Sequence, residues 1–112
     1  MKEIKAYVRP DKAEAVISEL ELNGVKGMTV IDVSLLGSWT DPQRSKLSME
    51  YCEKYCGCTK IELICADDEH DKFADIILNQ AHTGQKGDGK IFVTDIYDAI
   101  SIRTKKHGID AL

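Results

Sequence analysis

Thr83-Gly84-Gln85-Lys86-Gly87-Asp88-Gly89-Lys90, running straight into the apolar Ile91-Phe92-Val93, joins a helical pattern to a strand. Earlier in the chain, Gly24-Val25-Lys26-Gly27 makes the same kind of join, from a helical pattern into Met28-Thr29-Val30. Two joins of one style point to a weak internal duplication, and so to two βαβ units with their helices on one face of a sheet. That arrangement predicts an α+β, ferredoxin-like βαββαβ sandwich. The later join carries chemistry as well as shape. Glycine admits positive φ and leaves successive N–H groups open to a ligand, and lysine brings a point charge suited to phosphate. Its spacing matches neither glycine-rich nucleotide motif, which would need a Lys-Ser/Thr pair or a helix following at once. On its own the loop is open to two readings, a phosphate cradle and an ordinary helix-to-strand turn.

The flanking patterns supply the rest of the sandwich. Ile4, Ala6 and Val8 alternate as a half-buried strand should, Pro10 ends that strand, and Asp11 is placed to start a helix. Ala13, Val16, Ile17 and Leu20 fall at helical spacing until Gly24 supplies the stop. Residues 30–35 alternate again as a second strand, and Ile61-Glu62-Leu63-Ile64-Cys65 reads as a third. The acidic Asp67-Asp68-Glu69 complements the start of a helix whose stripe is Phe73, Ile76, Ile77 and Ala81, and residues 90–94 form a fourth strand. Helices on one face leave the other uncovered, which favours burial against copies of the same chain.

Composition bounds the function. The 112 residues, 43% of them hydrophobic, suit one domain over 1–112. A net charge of −4 argues against nucleic acid or an anionic membrane as partner. No long apolar run stands in the sequence and the N-terminus is a strand pattern, so a soluble, cytoplasmic protein is expected. Four cysteines are present, but a domain of this size and patterning does not need disulfide staples.

Between about 36 and 57 the pattern breaks down. Gly37, Trp39, Asp41-Pro42 and many charges follow one another without a clean period, and structureless segments of that length in a compact domain are usually functional or disordered. Trp39 is either an exposed anchor for a partner protein or a side chain folded back over its own subunit. Cys52, Cys56 and Cys58 form C-x3-C-x-C in this arm. They stand open as a redox-sensitive pair, a soft-metal site or unremarkable thiols, although the spacing matches no established zinc pattern and no metal site is assigned. Lys105-Lys106-His107 reads as a solvated tail.

End to end, the chain resembles the PII family of nitrogen-regulatory signalling proteins. The residues that carry the resemblance are Met1 to Pro10, Gly24 to Val30, Thr83 to Val93 and Ala99-Ile100-Ser101-Ile102-Arg103-Thr104, the last matching most of a short C-terminal strand. The resemblance implies a homotrimer with adenine nucleotide in clefts between subunits. It also implies a mobile T-loop over about 36–57 that reports ligand state to a regulated protein, a phosphate-binding loop over about 83–90, and a C-terminal loop over about 103–112. The matching nucleotide positions here are Thr29, Gly37, Glu62, Gly87, Asp88, Gly89, Lys90 and Arg103. Nucleotide is then an effector, with no prosthetic group, and at most a membrane transporter is the partner, without membrane insertion.

The departures from the family pattern shape the expected ligand. Ser101 and Ser38 stand where the family has arginines. Each lost charge-assisted contact is worth on the order of 1.5–3 kcal/mol, roughly ten- to a hundredfold in affinity, and falls on the terminal phosphate. That shifts the expected preference toward ADP or AMP, with ATP secondary. Where members that sense 2-oxoglutarate use a glutamine to help hold magnesium and a lysine to pair with a carboxylate, this chain has Trp39 and Cys58. An indole offers no good metal ligand and a thiol no fixed positive charge. The implied function is a sensor of carbon assimilation or energy state, with bicarbonate or another small anion beside the nucleotide, as in the carboxysome-associated branch. An ordinary nitrogen sensor of ATP, ADP and 2-oxoglutarate is the alternative. Tyr51 sits where many members carry a modifiable tyrosine. No P-loop, catalytic base or helix-start C-x-x-C supports an enzyme.

Overall fold

The computed structural model describes residues 1–48 and 53–112. Its elements run β1 (Lys2–Val8), α1 (Pro10–Leu22), β2 (Thr29–Leu36), β3 (Lys46–Ser48), β4 (Glu53–Cys65), α2 (His70–Ala81) and β5 (Lys90–Asp95), with a 3-10 turn at Gly108–Ala111. Pro10 opens α1, where its fixed φ suits the first turn and its missing N–H would have had no helical partner. The helix closes when the Val25 N–H donates to the Leu20 carbonyl (3.1 Å) and the Gly24 N–H to the Glu21 carbonyl (3.2 Å), a Schellman pair.

The sheet order is β2-β4-β1-β5, every neighbour antiparallel, with β3 pairing only to β4. Each βαβ unit thus encloses a strand of the other, β4 between β1 and β2 and β1 between β4 and β5. This is the expected split βαβ, ferredoxin-like arrangement. Alternation decides which residues meet the helices. Ile4, Ala6 and Val8 of β1 and Ile61, Leu63 and Cys65 of β4 pack against Ala13, Val16 and Leu20 of α1 and Phe73, Ile77 and Ala81 of α2. The predicted stripes are therefore the core, with Ile17 and Ile76 at its margin. Among the described residues no helix is long and apolar enough to cross a membrane.

Two expectations need correction. The third strand begins at Glu53, not at Ile61, and β2 pairs with it from Thr29↔Glu62 to Leu36↔Tyr55. Val33 and Leu35 need apolar cover on the face away from the helices. Cys58 and Cys56, their register partners, supply it, because a thiol packs as a small hydrophobe. The expected loop at 36–57 thus shrinks, and residues 37–45 form successive turns in which Thr40 N–H donates to the Gly37 carbonyl (3.3 Å) and Arg44 N–H to the Asp41 carbonyl (3.1 Å). The expected C-terminal strand over 99–104 is not a strand either. Ile100 makes one isolated bridge, to His107. The segment satisfies its backbone by folding on itself, with Ser101 N–H to the Lys106 carbonyl (2.9 Å) and Gly108 N–H to the Ala99 carbonyl (2.9 Å). Tyr51 and Cys52 lie outside the described residues.

Candidate functional site

The 83–90 loop is built around one carboxylate. The amides of Thr83 and Gly84 both donate to Asp88 Oδ2 at 2.8 Å, and the Thr83 hydroxyl donates to Oδ1. Arg9 Nε adds a further bond to Oδ1 at 3.1 Å. Burial opposes ionisation of Asp88, but the Thr83 and Gly84 donors and the Arg9 guanidinium outweigh it and hold the carboxyl well below the usual carboxylate range. Asp88, expected among the ligand-holding residues, therefore turns its side chain inward and leaves only its main chain for a ligand.

Gly87 (φ +103°) and Gly89 (φ +99°) are glycine for steric as well as conformational reasons. A Cβ at Gly89 would stand 1.7 Å from the Tyr7 carbonyl oxygen, and one at Gly87 would stand 2.5 Å from the Cβ of Asp41. The loop is thus pressed onto the end of β1 on one side and onto the turn at 37–45 on the other. Gly37, the third expected glycine, begins that turn at φ +96°.

Arg9 sits at the junction of all three segments and is 8% exposed. Its guanidinium donates to Asp41 Oδ2 (2.7 Å), to Asp88 Oδ1 (3.1 Å) and to the Lys86 carbonyl (2.9 Å). The bond to Asp41 leads the causes that raise the Arg9 pKa, and the same bond leads those that hold the Asp41 carboxyl below its ordinary value. Neither Arg9 nor Asp41 was picked out from the sequence. Arg9 stood only within the Met1 to Pro10 stretch that carries the family resemblance, and Asp41-Pro42 only among the residues of a segment without a clean period.

Trp39 folds back over its own chain, the second of its two sequence readings. Its ring meets Tyr7 edge-on at 5.5 Å between centroids, and its Nε1–H donates to the Leu36 carbonyl at 3.0 Å. Lys90 holds its ammonium 5.6 Å from the indole centroid, within cation–π range. Under this group lie Leu35, Cys56 and Cys58, forming a small cluster apart from the main core on the helix-free face. The Cys58 thiol donates to the Val8 carbonyl at 3.2 Å, and burial pushes its pKa up to about 11. It is therefore a packed, protonated thiol at neutral pH. Among the described residues no group of three or more His, Cys, Asp or Glu side chains is placed to hold a metal.

The remaining expected residues lie elsewhere. Thr29 and Glu62 are register partners across β2 and β4, beside a shallow cavity of about 210 Å³. Glu62 is paired with Lys60 at 2.6 Å, which depresses its carboxyl, and the Lys60 ammonium also stands 5.7 Å from the Tyr7 ring centroid. Arg103 is exposed in the turn past the far end of β5, whereas Lys90 opens that strand. Six residues of strand span about 17 Å. One chain therefore presents three separate parts: the 83–90 loop with Lys90, the Thr29–Glu62 pair, and Arg103.

Comparison with family models matches residues 1–106 to the family described as Nitrogen regulatory protein P-II. Among curated relatives, Nitrogen regulatory protein P-II 1 of Methanothermobacter thermautotrophicus is 39% identical over 112 residues, covering all of this chain and 97% of the relative. Nitrogen regulatory protein P-II of Bradyrhizobium diazoefficiens is 37% identical over 112 residues, with both chains covered completely. The protein of the same name from Porphyra purpurea is 39% identical over 104 residues, or 93% of each chain.

Proposed function

The chain belongs to the nitrogen regulatory protein P-II family, and from that premise we propose that it is a non-catalytic cytoplasmic sensor of adenine nucleotide whose arm signals to a partner protein. The observation that carries this reading is the construction of the 83–90 loop. Its two glycines are forced by contacts at both flanks, its carboxylate is turned inward, and it delivers Lys90 at the start of an exposed strand edge. Main-chain N–H groups at Gly87 to Lys90 and the Lys90 ammonium would hold phosphate oxygens.

The site is incomplete in one copy, since Arg103 and the Thr29–Glu62 pair stand away from the loop. A homotrimer that brings Arg103 of one subunit to Lys90 of the next, with the uncovered sheet faces turned inward, completes it. Gly37, at the root of the arm, lies where a terminal phosphate would be felt. With serines at 38 and 101, ADP or AMP is favoured over ATP, and the freed space beside Lys90 would take bicarbonate or a similar small anion. In that reading the regulated process is carbon assimilation or energy balance.

A second reading is favoured by the relatives' names, which speak of nitrogen regulation. It would require a dicarboxylate site, and the chain offers little for one. Position 58 is a buried thiol bonded to Val8, Trp39 has no metal-ligating atom, and Lys60 is already paired with Glu62. Calorimetric titration of the reduced protein with ATP, ADP and AMP, each with and without bicarbonate or 2-oxoglutarate, separates the readings. The expected result is ADP or AMP binding tightened by bicarbonate and indifferent to 2-oxoglutarate. Magnesium-dependent synergy between ATP and 2-oxoglutarate would establish the nitrogen reading instead, and absence of nucleotide binding would end both.

A further inference from the structure

The guanidinium of Arg9 reaches two segments that are distant in sequence. One of its bonds goes to Asp41, in the turn that roots the arm, and two go to the 83–90 loop, at Asp88 and the Lys86 carbonyl. The two segments also touch directly, since Gly87 has no room for a Cβ beside Asp41. Asp41 divides its carboxylate between them: Oδ1 accepts the Gln43 N–H at 2.9 Å, closing the arm's own turn, and Oδ2 accepts Arg9 at 2.7 Å. The Asp41 main chain holds the same turn, with its carbonyl accepting Arg44 N–H and the Ser45 hydroxyl at 3.1 and 2.6 Å.

We propose that Arg9 is a positioning residue that, through Asp41, locks the root of the arm to the 83–90 loop so that the two segments shift as one body. The consequence for signalling follows from geometry. Any ligand that displaces residues 86–88 moves the carbonyl and carboxylate that hold Arg9, and the guanidinium carries that displacement to Asp41. A change of arm position reaches the loop by the same link, as reciprocity of coupling demands. The use of the lock in signalling rests on the nucleotide-sensing reading above, while the lock itself is tested in the ligand-free protein.

Asp41→Asn isolates the charge. The amide oxygen still accepts the Gln43 N–H, but an NH2 donor then faces the Arg9 donors where Oδ2 stood. Hydrogen-exchange mass spectrometry on the ligand-free variant is expected to show amides of both 37–45 and 83–89 exchanging about tenfold faster, with α1 and α2 unchanged. Trp39, the one tryptophan of the chain, reports the same event: acrylamide quenching of its emission should rise in Asp41→Asn and return toward the wild-type value in Asp41→Glu. Gly87→Ala tests the link from the other side. Its new Cβ pushes on Asp41, so exchange in 37–45 and Trp39 quenching should both increase, and this variant decides the matter if Asp41→Asn loosens the whole fold. Acceleration confined to the mutated segment in either variant overturns the lock, as does unchanged Trp39 quenching. Failure of ADP to bind the wild-type protein would remove the signalling role and leave the exchange result standing.

Discussion

A side chain at position 89 would collide with the Tyr7 carbonyl oxygen on a backbone already at φ +99°, and no rotamer relieves a Cβ clash. Left-handed strain and overpacking together put the cost of Gly89→Ala at roughly 2–5 kcal/mol, read as a lowered thermal midpoint. A variant that melts with the wild type would show that the loop can lift away from β1. Asp88 makes a separate claim at this scale. Its carboxyl is depressed in the folded chain, so protonation favours unfolding, and its contribution is present above the unfolded pKa and lost as pH falls. Midpoints should hold steady through neutral pH and fall below about pH 4, more steeply than in Asp88→Asn. Equal acid slopes in the two proteins would assign the effect to other carboxylates. At single residues the sequence was legible where type alone restricts conformation, as at Gly87 and Gly89. It was not legible at Arg9 and Asp41, whose importance comes from a meeting across the fold that no local spacing announces.

Elements with a clean period were readable to within a residue or two, and those without one were not. The stripes of α1 and α2 are the core because a helix with one apolar face has one way to bury it. β4 was read too short, since Glu53 to Lys60 carries a glycine and charges and shows no apolar alternation until its partner strand is known. The pairing of Val33 with Cys58 and of Leu35 with Cys56 turns those thiols into packing groups. With the Cys58 pKa near 11, about a thousandth of it is thiolate at pH 8. Iodoacetamide at that pH should leave Cys58 unlabelled in the folded protein and label it readily in denaturant, by peptide mass spectrometry. Prompt labelling in the native state would mean that β4 opens at this end and would revive the redox reading of the arm.

For the whole molecule, Lys90 and Arg103, both assigned to the proposed nucleotide site, stand at opposite ends of β5, and this separation makes a prediction about assembly. Lys90→Ala and Arg103→Ala should each weaken ADP binding roughly tenfold or more. Mixed subunits of the two variants, unfolded and reassembled together, should regain a fraction of sites with wild-type affinity, because some clefts then pair an intact Lys90 with an intact Arg103. No recovery would place both side chains in one chain's site. The fold class and its uncovered face were legible from two similar helix-to-strand joins, whereas the number of copies and the proposed shared cleft came only from the family resemblance, because a single chain's pattern holds no record of its neighbours. The small cluster beneath Trp39 has a different consequence for the molecule as a whole. It is a second nucleus of apolar contact, separate from the main one and much smaller. A subdomain of that kind opens at lower cost than the global fold. Warming should therefore produce a shallow premelting step, visible in tryptophan emission before far-ultraviolet ellipticity changes, in which the helices remain intact while the end of the sheet that carries the arm comes undone.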